Sequence, residues 1–113
     1  MPDVLRMLRA EAKELGLWNM ALPRLNNKKA GLGLKNLEFT AVAEIFSRLE
    51  WASHVFNCNA LDVPNMELLQ LFGDEEQKRQ LLTPLLKGEI GSAFAMIRPY
   101  AASSDPTNLE IRI

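Results

Sequence analysis

His54 and Cys58 stand four residues apart, a spacing that puts two side chains on one face of a helix. An imidazole and a thiol so placed could ligate a metal ion or form a nucleophile–base pair. A closed structural zinc site needs further ligands, and no second pair supplies them. A Cys–His nucleophile needs a group to orient the imidazole and donors for an oxyanion, and the sequence marks neither. The plain reading is a partly buried histidine and a small apolar cysteine, with no metal ligand and no catalytic residue assigned. Carboxylates are numerous, but Glu75 and Glu76 suit a helix start, and Glu11, Glu14 and Glu44 suit a solvated face. Lys28-Lys29 is too short a basic run to hold nucleic acid. Gly31-Leu32-Gly33 lacks the third glycine and the strand–turn–helix setting of a dinucleotide fingerprint. Trp18 and Trp51 fit a core or hinge better than a pocket wall.

The stretch from Phe94 to Asn108 has a different character. A short apolar run, Phe94-Ala95-Met96-Ile97, leads into Arg98-Pro99-Tyr100-Ala101-Ala102-Ser103-Ser104-Asp105. Small residues, hydroxyls and free backbone N–H groups at a strand end can approach a phosphate or a flat ring closely. Taken alone, a Pro/Ser/Asp loop is equally a simple turn.

The elements that would position these residues are mainly helical. Residues 3–15 place Val4, Leu5, Leu8, Ala12 and Leu15 on one stripe, with Gly16 as a left-handed cap. From Leu17 to Asn36 the period is broken by Pro23, Asn26-Asn27 and the Gly31–Gly33 run. Asn36 then reads as the N-cap of a helix whose apolar face is Phe39, Val42, Ile45, Phe46 and Leu49. Two helices are expected between Ala52 and Phe72, split at Asp62-Val63-Pro64. The second would be capped by Asn65, bury Met66, Leu69 and Phe72, and end at Gly73. Asp74 and Gln77 make a capping-box start for a helix carrying Leu81, Leu82, Leu85 and Leu86, with Pro84 bending its last turn before Gly88. Ser92 to Ile97 reads as a strand, and Leu109, Ile111 and Ile113 alternate with Glu110 and Arg112 as a second. The fold class expected is therefore mainly α: an orthogonal or up-and-down bundle of four or five helices, then the first strands of a β-barrel-like domain. A strand pair with an open apolar edge suggests a cut through a larger protein.

The composition narrows the class further. In 113 residues, 48% are hydrophobic and 24% charged, so the chain is a folding sequence of one small domain. The net charge of −1 speaks against a nucleic-acid partner, and the single cysteine excludes an internal disulfide framework. No apolar stretch reaches the roughly 18 residues of a membrane span. Asp3, Glu11 and Glu14 argue against a transit peptide, leaving a soluble intracellular protein as the expectation.

The order of segments resembles the acyl-CoA dehydrogenase family, specifically its N-terminal helical domain and the opening of its middle β-domain. The carriers are Glu14-Leu15-Gly16-Leu17-Trp18-Asn19 with Leu22-Pro23, and Gly31-Leu32-Gly33-Leu34 before Asn36-Leu37-Glu38. Phe72-Gly73-Asp74-Glu75-Glu76-Gln77-Lys78 and Leu85-Leu86-Lys87-Gly88-Glu89-Ile90 follow, and the loop around Pro99 and Ser103-Ser104-Asp105 closes the series. The spacer Val55-Phe56-Asn57-Cys58-Asn59-Ala60 and the doubled serine look most like the branch fused in animals to an aminoglycoside-phosphotransferase-like domain. The resemblance implies a helical domain over residues 1–91 and the beginning of the flavin-binding β-domain over 92–113.

It also implies FAD-dependent α,β-dehydrogenation of an acyl-CoA thioester, in fatty acid β-oxidation fashion. Electrons would leave to an electron-transfer flavoprotein or to oxygen, and the full-length protein would form homo-oligomers. Carried over by position, Phe94 matches a usual aromatic, Met96 and Ile97 fall at the isoalloxazine edge, and Ser104 falls at the FAD pyrophosphate, with Ser103 beside it as a further cofactor-binding candidate. Two departures stand out. The family loop reads Met-Thr-Glu-Pro, whereas this chain has Met96-Ile97-Arg98-Pro99, so a hydroxyl is lost and a charge reversed. The family's catalytic carboxylate lies in a C-terminal bundle that matches no residue here, which implies that these residues alone are inactive. A non-catalytic interaction or acyl-CoA-binding module, from a truncated isoform or decayed gene, is the alternative. The compartment implied is mitochondrial or peroxisomal in a eukaryote and cytoplasmic in a bacterium.

Overall fold

The computed structural model describes residues 2–23, 31–95 and 107. Helix α1 spans Asp3–Glu14, α2 Asn36–Phe46, α3 Ala52–Val55 and α4 Asp62–Phe72. Helix α5, Glu75–Gln77, runs without a break into a π turn, Lys78–Leu82, and then into α6, Thr83–Lys87. The described part is mainly helical, as the periodicity predicts.

Helices α1 and α6 end the same way. In α1 the Leu17 N–H reaches the Ala12 carbonyl at 2.9 Å and the Gly16 N–H reaches that of Lys13 at 3.1 Å. In α6 the Glu89 N–H reaches Pro84 and the Gly88 N–H reaches Leu85, both at 2.9 Å. Both pairs are Schellman closures, and the residue that reverses the chain must take a positive φ. Gly16 and Gly88 supply it, each at +70°.

Helix starts differ from expectation at two places. Lys35, not Asn36, caps α2, because the Glu38 carboxylate turns back to accept the Lys35 N–H at 2.7 Å. Helix α4 begins at Asp62 and takes Val63 and Pro64 into its first turn, where a proline's missing N–H costs nothing. Asn65 is thus inside the helix, and its amide donates to the Leu61 carbonyl at 3.1 Å and to Ser92 Oγ at 2.9 Å. The Asp74–Gln77 box forms as expected, with reciprocal bonds of 2.7 and 3.0 Å. Pro84 acts one turn earlier than expected. Its ring would collide with the carbonyl four residues back, and the backbone widens over Lys78–Leu82 to avoid it.

The core is small: Leu22 and Met66 at 0% exposure, with Leu82 and Leu85, and Val63, Leu69 and Leu86 packed around them. Helix α1 contributes Ala12, while Val4 and Leu15 lie at 59% and 65% exposure, so its docked stripe is narrower than the apolar one. No residue of α2 is buried. Its half-buried side is Phe39, Val42 and Phe46, and it attaches through Phe46, stacked on Phe56 at 4.9 Å. Ile45 and Leu49 of the expected face point out, as does Phe72 of α4 at 79% exposure. The strand expected over Ser92 to Ile97 does not form in its described part. Residues 92–95 have no regular structure, and the Ser92 N–H that a ladder would use is bound to the Asp62 carboxylate instead. The strand expected at 109–113 lies outside the described residues.

Candidate functional site

Of the flavin-contact candidates, Met96, Ile97, Ser103 and Ser104 lie outside the described residues. Phe94 is described, and the residue is 46% exposed near the end of the irregular 91–95 segment. That segment is tied down two residues earlier. Ser92 gives its N–H to Asp62 Oδ1 at 2.6 Å, its hydroxyl lies 2.8 Å from the same oxygen, and Asn65 Nδ2 donates to the hydroxyl at 2.9 Å. Asp62 is buried at 8% exposure, and its other oxygen is 3.5 Å from Asn59 Nδ2. Asp62 and Ser92 lie on the wall of an open cleft of about 440 Å³ that Arg9, His54 and Asn57 also line. Burial holds the Arg9 guanidinium below its usual range, and the Asp62 charge pulls it back up.

His54 and Cys58 do not form a working pair. Helix α3 ends at Val55, so Cys58 lies beyond it; His54 is exposed, where a partly buried side chain was expected. Cys58 is buried, and its Sγ is 3.3 Å from the Phe56 carbonyl. Burial pushes the thiol pKa up, against the smaller opposing effect of backbone hydrogen bonding at Ala21 and Met20. A thiol held neutral is a poor nucleophile. Among the described residues no group of three His, Cys, Asp or Glu side chains could hold a metal ion.

The densest polar arrangement is one the sequence reading missed, at the C-terminus of α6. Asn57 Nδ2 donates to the Leu85 carbonyl at 2.9 Å and to Asn19 Oδ1 at 2.7 Å. Asn19 Nδ2 and Trp18 Nε1 both donate to the Leu86 carbonyl, at 3.0 and 2.8 Å. Lys13 Nζ reaches the Lys87 carbonyl at 3.1 Å and Arg9 Nη2 reaches that of Gly88 at 3.0 Å. Both cations also lie over the Trp18 ring, 4.2 and 4.9 Å from its centroid. Positive charge at the negative end of a helix is favourable, and each cation gains again from the indole face. Asn19 and Asn57 take left-handed φ values of 58° and 55°, which asparagine tolerates better than other residues with a Cβ. The readable signal was an asparagine directly after Trp18 and another before Cys58. Their roles depend on contacts far along the chain.

Among the described residues these hydrogen bonds join three parts of the chain: the end of α1 with the Trp18–Asn19 turn, the Asn57 loop, and the C-terminus of α6. The arrangement defines a mainly helical domain closed on itself at the end of α6. The comparisons assign that domain. The acyl-CoA dehydrogenase N-terminal domain pattern matches residues 2–89. Mouse acyl-CoA dehydrogenase family member 10 is 47% identical over 108 residues, 94% of this chain and 10% of that protein. Human acyl-CoA dehydrogenase family member 11 is 46% identical over 112 residues, 99% of this chain and 14% of that protein. A solved structure from Mycobacterium abscessus, whose assignment as an acyl-CoA dehydrogenase is itself provisional, superposes with a TM-score of 0.85. It is 47% identical, and the match covers 97% of this chain and 26% of that one. The chain belongs to the acyl-CoA dehydrogenase family. It spans between a tenth and about a quarter of the length of these relatives.

Proposed function

We propose that this chain is the helical N-terminal part of a FAD-dependent acyl-CoA dehydrogenase, with residues 1–91 as the helical domain and 92–113 opening the flavin-binding β-domain. The observation that carries the reading is the superposition over 97% of the chain at 47% identity with a family structure. Bound FAD would supply the hydride acceptor for α,β-dehydrogenation of an acyl-CoA thioester. Phe94, Met96, Ile97, Ser103 and Ser104 are the residues that would hold it. Phe94 fits this role, since it is an exposed aromatic residue, 46% accessible, of the kind that packs against a planar group. The helices brace the segment that follows them and form one side of the acyl site. An electron-transfer flavoprotein or oxygen would take the electrons, and assembly into homo-oligomers would rest on residues beyond these.

The test is a chimera in which this chain replaces the matched quarter of the Mycobacterium abscessus protein. The reading expects bound flavin, seen by its visible absorbance, and acyl-CoA-dependent reduction of an artificial electron acceptor. A folded chimera that lacks both, beside a parent that shows both, would overturn it. A non-catalytic interaction or acyl-CoA-binding module is the second reading, favoured by the exposed apolar side chains Leu37 at 88% and Phe72 at 79%. It expects the chimera to fold without flavin while the isolated chain still binds an acyl-CoA.

A further inference from the structure

The Ser92 clasp has more bonds than chain reversal requires. Residues 91–95 have no regular structure, yet Ser92 uses both its backbone N–H and its hydroxyl on α4. The hydroxyl has one proton and accepts from Asn65 at 2.9 Å, so its donation goes to Asp62 Oδ1 at 2.8 Å or to the Leu61 carbonyl at 3.2 Å. The carboxylate it meets is buried, and an N–H bond of 2.6 Å to such a group is short and charge-assisted. All three partners, Leu61, Asp62 and Asn65, lie within the first turn of α4 or just before it. The second turn of that helix inserts Met66, fully buried, into the core. The clasp therefore ties Ser92 to the start of the helix that carries Met66 into the core, and Phe94 follows two residues later.

We infer that Ser92, with Asp62 and Asn65, is the positioning device that sets the segment entering the flavin site. This rests on the reading of the chain as part of a flavin-dependent dehydrogenase. Ser92 touches no reacting atom; it acts by limiting where Phe94 and the residues after it can be. Loosening it widens the range of positions open to that segment, and flavin affinity drops because the ordering must then be supplied on binding. Helices α1 and α6, whose caps lie elsewhere, keep their stability.

The experiment uses the chimera described above, with Ser92→Ala, Ser92→Thr and Asn65→Ala, and reads FAD affinity by fluorescence titration of the deflavinated protein. Amide hydrogen exchange is followed in the unsubstituted and substituted 113-residue chains. Ser92→Ala is expected to weaken FAD binding about tenfold, the order of one or two net hydrogen bonds, and Asn65→Ala severalfold. Ser92→Thr, which keeps N–H and hydroxyl, restores affinity to within about twofold of the parent. Exchange rises at residues 92–95 in Ser92→Ala while α1 and α6 remain protected. Unchanged FAD affinity in Ser92→Ala overturns the inference, as does a loss of protection spread over all the helices. If Ser92→Ala does not fold, Asn65→Ala decides by the same two readings. A folded unsubstituted chimera without flavin instead overturns the functional reading itself, and this inference with it.

Discussion

Asn57 combines three demands in one side chain: a left-handed backbone, a bond to Asn19 and a bond to the Leu85 carbonyl. These separate by substitution. Asn57→Gly keeps the φ of 55° without strain and loses the two hydrogen bonds; Asn19 Oδ1 is left without this donor while the Leu85 carbonyl keeps the Gly88 N–H, at about 1–3 kcal/mol. Asn57→Ala loses the same bonds and adds the strain of a Cβ at positive φ, about 1 kcal/mol more. Urea denaturation of both variants checks the order, and equal losses would show that the backbone at Asn57 is unstrained. Cys58 gives a second test at this scale. Its thiol pKa is raised in the fold above the ordinary 9.0, so the folded chain holds the proton more tightly than the unfolded one. The resulting stability is fully present below about pH 9 and is lost as pH rises through the folded value. Cys58→Ala flattens that alkaline decline, which unfolding midpoints between pH 7 and pH 10.5 would register as a convergence of the two profiles (range set about the ordinary thiol value). A parent as flat as the variant would mean that Cys58 is not desolvated.

Between elements, the two Schellman glycines are alike in φ and unlike in surroundings. A Cβ at Gly16 meets nothing within 4 Å, whereas one at Gly88 falls 2.1 Å from Arg9 Nη2 and 2.7 Å from Trp18 Cζ2. Gly16→Ala is expected to cost about 1 kcal/mol, the left-handed strain alone. Gly88→Ala adds displacement of the cation–indole stack and costs about 3 kcal/mol or more. Thermal unfolding of the pair decides the matter, and a Gly88→Ala no worse than Gly16→Ala would mean that the stack yields freely. The same contrast marks what the sequence could reveal. The presence and order of the main helices, the glycine stops, the Asp74–Gln77 box and the buried Met66, Leu82 and Leu85 follow from spacing and short-range chemistry, so they were legible. The exposed sides of α2 and α4 were not, because periodicity identifies an apolar stripe without saying what covers it. Ser92 was read as a strand residue on local composition, and a buried carboxylate thirty positions earlier redirected its N–H. The Asn19–Asn57 bond spans 38 residues and the Trp18–Leu86 bond 68, distances over which one sequence without relatives gives no pairing signal.

For the molecule as a whole, the described chain carries a large apolar surface: Leu68 and Leu71 at 57% and 45% exposure stand beside Phe72 on α4. Such a cluster favours association. Sedimentation of the isolated chain is expected to show concentration-dependent self-association, and Phe72→Ser with Leu68→Lys should suppress it without lowering the unfolding midpoint. A monomeric parent would remove that expectation. Turnover is expected to be undetectable when the 113 residues are mixed with FAD, acyl-CoAs of several chain lengths and a dye acceptor. Dye reduction above a no-protein control would contradict it. The stacked end of α6 has a further consequence, for folding cooperativity. Its carbonyls are closed by Arg9, Lys13, Trp18 and Asn19, from 79, 74, 68 and 67 residues away in the chain. Neither the first helix nor the last reaches its final form without the other, so a long loop closes before either is rewarded. The two ends therefore melt as one event, and Trp18 emission in a Trp51→Phe background falls on the same unfolding curve as helical circular dichroism.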